Sequence, residues 1–168
     1  GYEIAGGIGV KIAHPDREVI VVVGDGSYLM LNSEIATSVM LGRKLVVVVL
    51  DNRGYGCISR LQQAVGGAPF NNLLDDCTAN GGTAPAIDFA AHARSLGAQA
   101  EHVGSIAELE AALARARSSD RTCVVSIDTS PSRSTEAGGC WWEVAVPAVS
   151  GREAVAAARR QYELDKKR

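Results

Sequence analysis

VIVVVGDGSYLMLNSEIATSVMLGRKLVVVVLDNRGYG, residues Val19 to Gly56, is the stretch of this 168-residue chain whose reading decides its fold. Val19 to Val23 and Leu45 to Leu50 are short runs of branched aliphatics, apolar on both faces. Such runs predict strands buried in a parallel sheet, each ending in a polar turn. Between them, Leu31 to Leu41 sets Ile35, Ala36, Val39 and Met40 at helical spacing. Asn32 or Ser33 stands ready to cap its start and Gly42 to end it. The result is a βαβ unit, whose right-handed crossover makes the strands parallel; as neighbours, their carboxyl ends emerge side by side. Asp25 leaves one end and Asn52 the other. A carboxylate and an amide oxygen meeting there, beside glycines that admit close backbone approach, suit a hard divalent cation carrying a phosphorylated ligand.

Two common phosphate-binding patterns are excluded. No Gly-x-x-x-x-Gly-Lys-Ser/Thr occurs, and Gly24-x-Gly26 is followed by Leu29 where a dinucleotide fingerprint needs a third small residue. Gly7-x-Gly9 precedes the strand and falls in a predicted apolar helix, GYEIAGGIGVKIAHP, with Ile4, Ile8 and Ile12 four apart and Pro15 as a stop. There the glycines read as close helix packing.

With 17 basic and 19 acidic residues, the chain is nearly neutral and offers no nucleic-acid surface. No run reaches the length of a membrane span and no signal peptide is visible, so a cytoplasmic location is expected. The first residue is Gly1 and not Met, which points to a piece of a longer multidomain chain. Cys57, Cys77, Cys123 and Cys140 form no Cys-x-x-Cys pair and read as reduced, mostly structural thiols. His14, His92 and His102 show no ligand spacing.

After Asn52, the Gly-rich turn Arg53-Gly54-Tyr55-Gly56 leads into a predicted helix over Ile58 to Val65, whose start would aim N–H groups at an anion. Gly66 to Ala86 is irregular. Helix, strand, helix and strand are then predicted at Ile87–Leu96, Ala98–Val103, Leu109–Arg117 and Thr122–Ile127, the third introduced by the capping box Ser105 to Glu108. The alternation is that of an α/β, doubly wound, mostly parallel sheet with helices on both faces. An α/β domain is therefore expected over residues 1–130. Residues 131–168 are expected as a C-terminal extension packed on it or on a partner, with Trp141 and Trp142 at an interface and a solvated charged helix at the end.

Gly24-Asp25-Gly26-Ser27, with 24 residues from Ser27 to Leu50 and then Asp51-Asn52, resembles the signature of the thiamine-diphosphate-dependent enzymes. The resemblance implies thiamine diphosphate with Mg²⁺ held by Asp25, Asn52 and the Gly54 carbonyl. It implies diphosphate contacts at Gly24, Gly26, Ser27, Tyr55 and Gly56. Asp51 stands where the family usually has a first Asn. No catalytic residue is assigned, because in the family the activating glutamate comes from the pyrimidine-binding domain of a second subunit. A homodimer or homotetramer is thus implied for the full-length protein, and inactivity for this portion alone.

Asp51 to Ile58, Arg60-Leu61-Gln62, Phe70 to Leu74 and Ser134 to Gly139 before Trp141-Trp142 further resemble one branch of that family. Its members hydrolyse a carbon–carbon bond in a cyclic polyhydroxy diketone of inositol catabolism. Acetolactate-synthase-like or decarboxylase chemistry, and a non-catalytic nucleotide-binding or scaffold module, are the alternative readings.

Overall fold

The computed structural model describes residues 1–77, 82–84, 86–133 and 143–167. These fall into two compact units, Gly1–Gly54 with Pro85–Ser130 and Tyr55–Ala84 with Pro131–Arg168.

The first unit opens with helix α1 (Glu3–Ala13), then β1 (Ile20–Gly24), α2 (Asp25–Met30), α3 (Glu34–Met40) and β2 (Val46–Asp51). After α4 (Gly56–Ala64), which belongs to the second unit, the first unit resumes with α5 (Phe89–Ser95), β3 (Gln99–Val103), α6 (Ile106–Ser118) and β4 (Cys123–Asp128). The four strands are all parallel, in the order β1-β2-β4-β3. Helices cover both faces. Ile4 and Ile8 of α1, Tyr28 of α2, Ile35 of α3 and Phe89 and Ala93 of α5 pack with Val21, Val23, Val47, Val49 and Val124. On the opposite face, Ala112 of α6 packs with Val48, Val103, Val125 and Ile127. Each such aliphatic side chain contributes about 1.5–3 kcal/mol by burial.

The local signals act as the sequence suggests at several places. Ser105 Oγ accepts from the Glu108 N–H at 3.2 Å, and Glu108 Oε2 accepts from Gly104 N–H at 2.8 Å. Asp88 caps α5 through the Ala91 N–H at 2.8 Å. Gly42 and Gly97, which follow α3 and α5, take φ of +61° and +92°.

Four expectations are corrected. The helix expected over Leu31–Leu41 is the shorter α3, which buries Ile35 and Ser38 while Met40 is exposed, and a further helix precedes it: α2 begins directly at Asp25, so Gly-Asp-Gly is a helix start and not a free turn. Ser38 is buried because its hydroxyl meets Thr122 Oγ1 at 2.9 Å. The run at β1 is buried on one face only, because β1 is the sheet's edge and α6 does not extend over it. In α1, Ile12 lies exposed, one turn past the sheet contact. Gly7 does allow close packing, since a Cβ there would lie 2.5 Å from Val21 Cγ2, but Gly9 has nothing within 4 Å.

The second unit holds α4 (Gly56–Ala64), a short 3-10 turn (Leu74–Cys77) and α7 (Glu153–Asp165). Its core joins Val146, Val155 and Tyr162, with Val65 and Ala158 against them. The expected solvated C-terminal helix is therefore corrected: α7 buries one stripe. Gly66, at φ +83°, lets the chain approach so closely that a Cβ would sit 2.5 Å from the Ala154 carbonyl. Tyr162 donates to Glu143 Oε1 at 2.5 Å, and Arg159 lies 5.0 Å above its ring. Cys57 and Cys77 are exposed and only Cys123 is buried, so a mostly structural role fails for the described thiols. Cys140, Trp141 and Trp142 lie outside the described residues. No described helix is long and apolar enough to cross a membrane.

Candidate functional site

At the carboxyl rim of the sheet, Gly24 pairs with Leu50 in register, which sets the residues leaving β1 beside those leaving β2. Asp25 follows at once as the first residue of α2 and is 2 % exposed. Its carboxylate accepts from the Gly54 N–H at 2.5 Å through Oδ2 and from the Asn52 N–H at 3.5 Å through Oδ1. The backbone between them is folded tightly: Arg53 has φ +64° and Gly54 φ +136°, the latter a conformation for which glycine is the natural residue. Asp51 holds this turn, its Oδ1 accepting from the Arg53 N–H at 2.8 Å.

The Asn52 side chain turns into the same space. One of its amide heavy atoms lies 2.8 Å from Gly54 O and 3.2 Å from Asp25 Oδ1. With nitrogen there, both contacts are hydrogen bonds. With oxygen there, three acceptor oxygens converge, an arrangement that a cation stabilises. The sequence-predicted trio Asp25, Asn52 and Gly54 is thus brought together at one place on the rim of the first unit.

Burial pushes the Asp25 pKa up, and the nearby Asp51 charge pushes it further, while the N–H groups of Gly54, Asn52 and Gly26 pull it down. A buried carboxylate is stabilised by a proton or a cation. The donor set is one carboxylate, one amide and one carbonyl, all hard oxygens, which fits Mg²⁺ and not a soft metal. Clusters of three or more His, Cys, Asp or Glu suited to a metal are absent among the described residues.

Gly24 adopts an extended backbone, and a Cβ there would meet nothing within 4 Å. Neither packing nor conformation of this chain asks for glycine at that position; the bare backbone leaves room at the rim. Gly26 is buried and Ser27 half-buried in the first turn of α2. Tyr55 and Gly56 belong to the second unit. There the Tyr55 N–H donates to Asn72 O at 2.7 Å, its side chain is exposed, and Gly56 starts α4 two residues before the expected Ile58.

Sequence reasoning saw in Asp51 only a departure from the usual residue and missed its role as the brace of the Arg53-Gly54 turn. The available signal was an Asp two residues before a bend, the Asx-turn arrangement.

The chain also matches known proteins. The family described as thiamine pyrophosphate enzyme, C-terminal TPP binding domain, matches residues 1–127. The chain is similar to two proteins named 3D-(3,5/4)-trihydroxycyclohexane-1,2-dione hydrolase. One, from Bacillus subtilis, is 36% identical over 100% of this chain and 25% of its own length. The other, from Geobacillus thermodenitrificans, is 41% identical over 95% of this chain and 26% of its own. The chain thus spans about a quarter of the length of these curated relatives. A solved structure of a Rhodococcus jostii thiamine diphosphate-dependent 4-hydroxybenzoylformate decarboxylase shares the fold, with a TM-score of 0.62. Its identity is 22%, covering 77% of this chain and 23% of that one.

Proposed function

Because the chain belongs to the thiamine pyrophosphate enzymes, matching their C-terminal TPP-binding domain, we propose that it anchors the cofactor of a hydrolase that cleaves a carbon–carbon bond in a trihydroxycyclohexane-1,2-dione. The observation that carries the cofactor part is the convergence of Asp25, the Asn52 amide and the Gly54 carbonyl on one point of the rim. The similarity to the two named hydrolases along nearly the whole chain supports the substrate class, a cyclic polyhydroxy diketone.

Asp25, Asn52 and the Gly54 carbonyl would hold Mg²⁺, the buried carboxylate supplying the charge and the two neutral oxygens the shape of the site. Gly24 leaves the rim open to a diphosphate, and the first-turn N–H groups of Gly26 and Ser27 face the end where an anion is favoured. When bound, thiamine diphosphate would supply a carbanion nucleophile and an electron sink. The residues of this chain anchor and orient; the activating glutamate is proposed to come from a pyrimidine-binding domain of a second subunit, in a cytoplasmic homodimer or homotetramer.

Titration calorimetry of thiamine diphosphate into the intact protein that carries this chain, with and without Mg²⁺, tests the reading beside Asp25→Ala. Binding that requires Mg²⁺ and vanishes in the variant is expected. Equal binding by both proteins, or by neither, would return the chain to the class of non-catalytic modules. Turnover of the cyclic dione against pyruvate then separates the hydrolase from a synthase or decarboxylase.

A further inference from the structure

The second unit carries a groove of about 390 Å³, large enough for a small organic ligand. Arg60 and Gln63 of α4 and Ser132 supply its polar groups, and Ala64, Leu73 and Pro131 its apolar surface. Arg60 is half-buried and makes no hydrogen bond or ion pair among the described residues. Other arginines of the same unit are engaged: Arg159 with Glu163, Arg160 with Glu153 at 3.1 Å, and Arg152 with Gly66 O at 3.4 Å. A guanidinium with five donors, partly withdrawn from water and without an acceptor among the described residues, is matched by an anion. Behind it, the buried Ser59 takes one amide hydrogen of Gln63 at 3.0 Å, which fixes that side chain and leaves its carbonyl and second N–H for a ligand.

The chemistry narrows the ligand. One guanidinium balances one negative charge, so a monoanion fits better than a phosphate dianion, and the planar fork matches a carboxylate in bidentate geometry. The volume exceeds what a bare anion fills. Gln63 suits hydroxyl groups, while Ala64, Leu73 and Pro131 suit the C–H face of a carbon chain. We propose that this groove binds a small hydroxylated carboxylate of the sugar-acid class, with Arg60 holding the carboxylate and Gln63 a hydroxyl. The assignment does not depend on the thiamine diphosphate reading, since it uses neither that cofactor nor any rim residue.

Calorimetry on the intact protein tests it with gluconate, sorbitol as the uncharged counterpart of the same carbon chain, and sulfate as a bare anion. Gluconate is expected to bind, with sorbitol and sulfate at least about tenfold weaker. Arg60→Met is expected to weaken gluconate by about ten- to a hundredfold, the range for one charge-assisted contact. Arg60→Lys falls between, because it keeps the charge and loses the fork. Gln63→Ala, at an exposed position, gives an independent reading with a smaller loss. Absence of gluconate binding overturns the proposal. So does sulfate or sorbitol binding as tightly as gluconate, or gluconate affinity unchanged in both Arg60→Met and Gln63→Ala.

Discussion

β1 and β2 are nearly the same sequence, IVVVG and VVVVLD, and lie hydrogen-bonded side by side, yet their surroundings differ. Val22 and Val48 are direct register partners on one face of the sheet. Val48 is 5% exposed and Val22 58%. The chemistry of the two side chains is identical; what differs is that β2 sits between β1 and β4 under α6, while β1 is at the edge and past the helix. Valine content announces a strand, and only the order of strands assigns its burial. The two strands share one function all the same, because both end at the rim where Asp25 and Asn52 meet.

The comparison breaks or holds most sharply at that valine pair. Val48→Asp places an unpaired charge in the core and is expected to cost about 4 kcal/mol or more, enough to unfold a marginal domain. Val22→Asp is expected to cost less than about 1 kcal/mol. Denaturant unfolding measures both, and a Val22→Asp cost close to that of Val48→Asp would mean that another surface covers the open face.

The shared rim gives the next effect. Mg²⁺ and thiamine diphosphate at about 100 times Kd are expected to stabilise the wild type by about 2.7 kcal/mol, and Asp25→Asn not at all. The metal-free proteins should differ in the opposite sense. Burial raises the Asp25 pKa above its ordinary 3.8, so the folded state holds that proton more tightly than the unfolded chain. This contribution favours folding below the unfolded value and is lost as pH rises through the raised folded value. Above that raised value the ionised Asp25 is a buried charge, and there Asp25→Asn should raise the metal-free melting temperature. Cation affinity should also fall as pH drops through the raised value, since binding must release the proton. A metal-free variant less stable than the wild type above that value would show that the carboxylate's backbone hydrogen bonds outweigh its burial.

The smallest contrast lies within α1. Gly7→Ala drives a methyl into Val21 and is expected to destabilise by about 1–3 kcal/mol. Gly9→Ala, with open space around it, is expected to stabilise by about 0.5–1 kcal/mol through helix propensity. Similar values for the two would erase the difference in packing that the structure draws between them.

The candidate site was legible because its parts are local. Asp25 and Asn52 each follow directly on a strand, and one crossover suffices to bring two strand ends together. The brace supplied by Asp51 was legible as an Asx turn, but the burial of Ser38 was not, because it depends on a contact with Thr122, 84 residues on, that periodicity does not encode.

The residues alone determined that valine-rich strands alternate with helices, that a hard-oxygen trio follows two of them, and which family shares that pattern, because these properties reside in spacings of a few residues. Tertiary structure decided the rest. It chose which of two equivalent valine strands is central, grouped Tyr55–Ala84 with a C-terminal helix about 70 residues further along the chain, and left Arg60 without a partner among the described residues. Burial and pairing are properties of what lies opposite a residue in space, and that neighbour is set by packing of the whole chain.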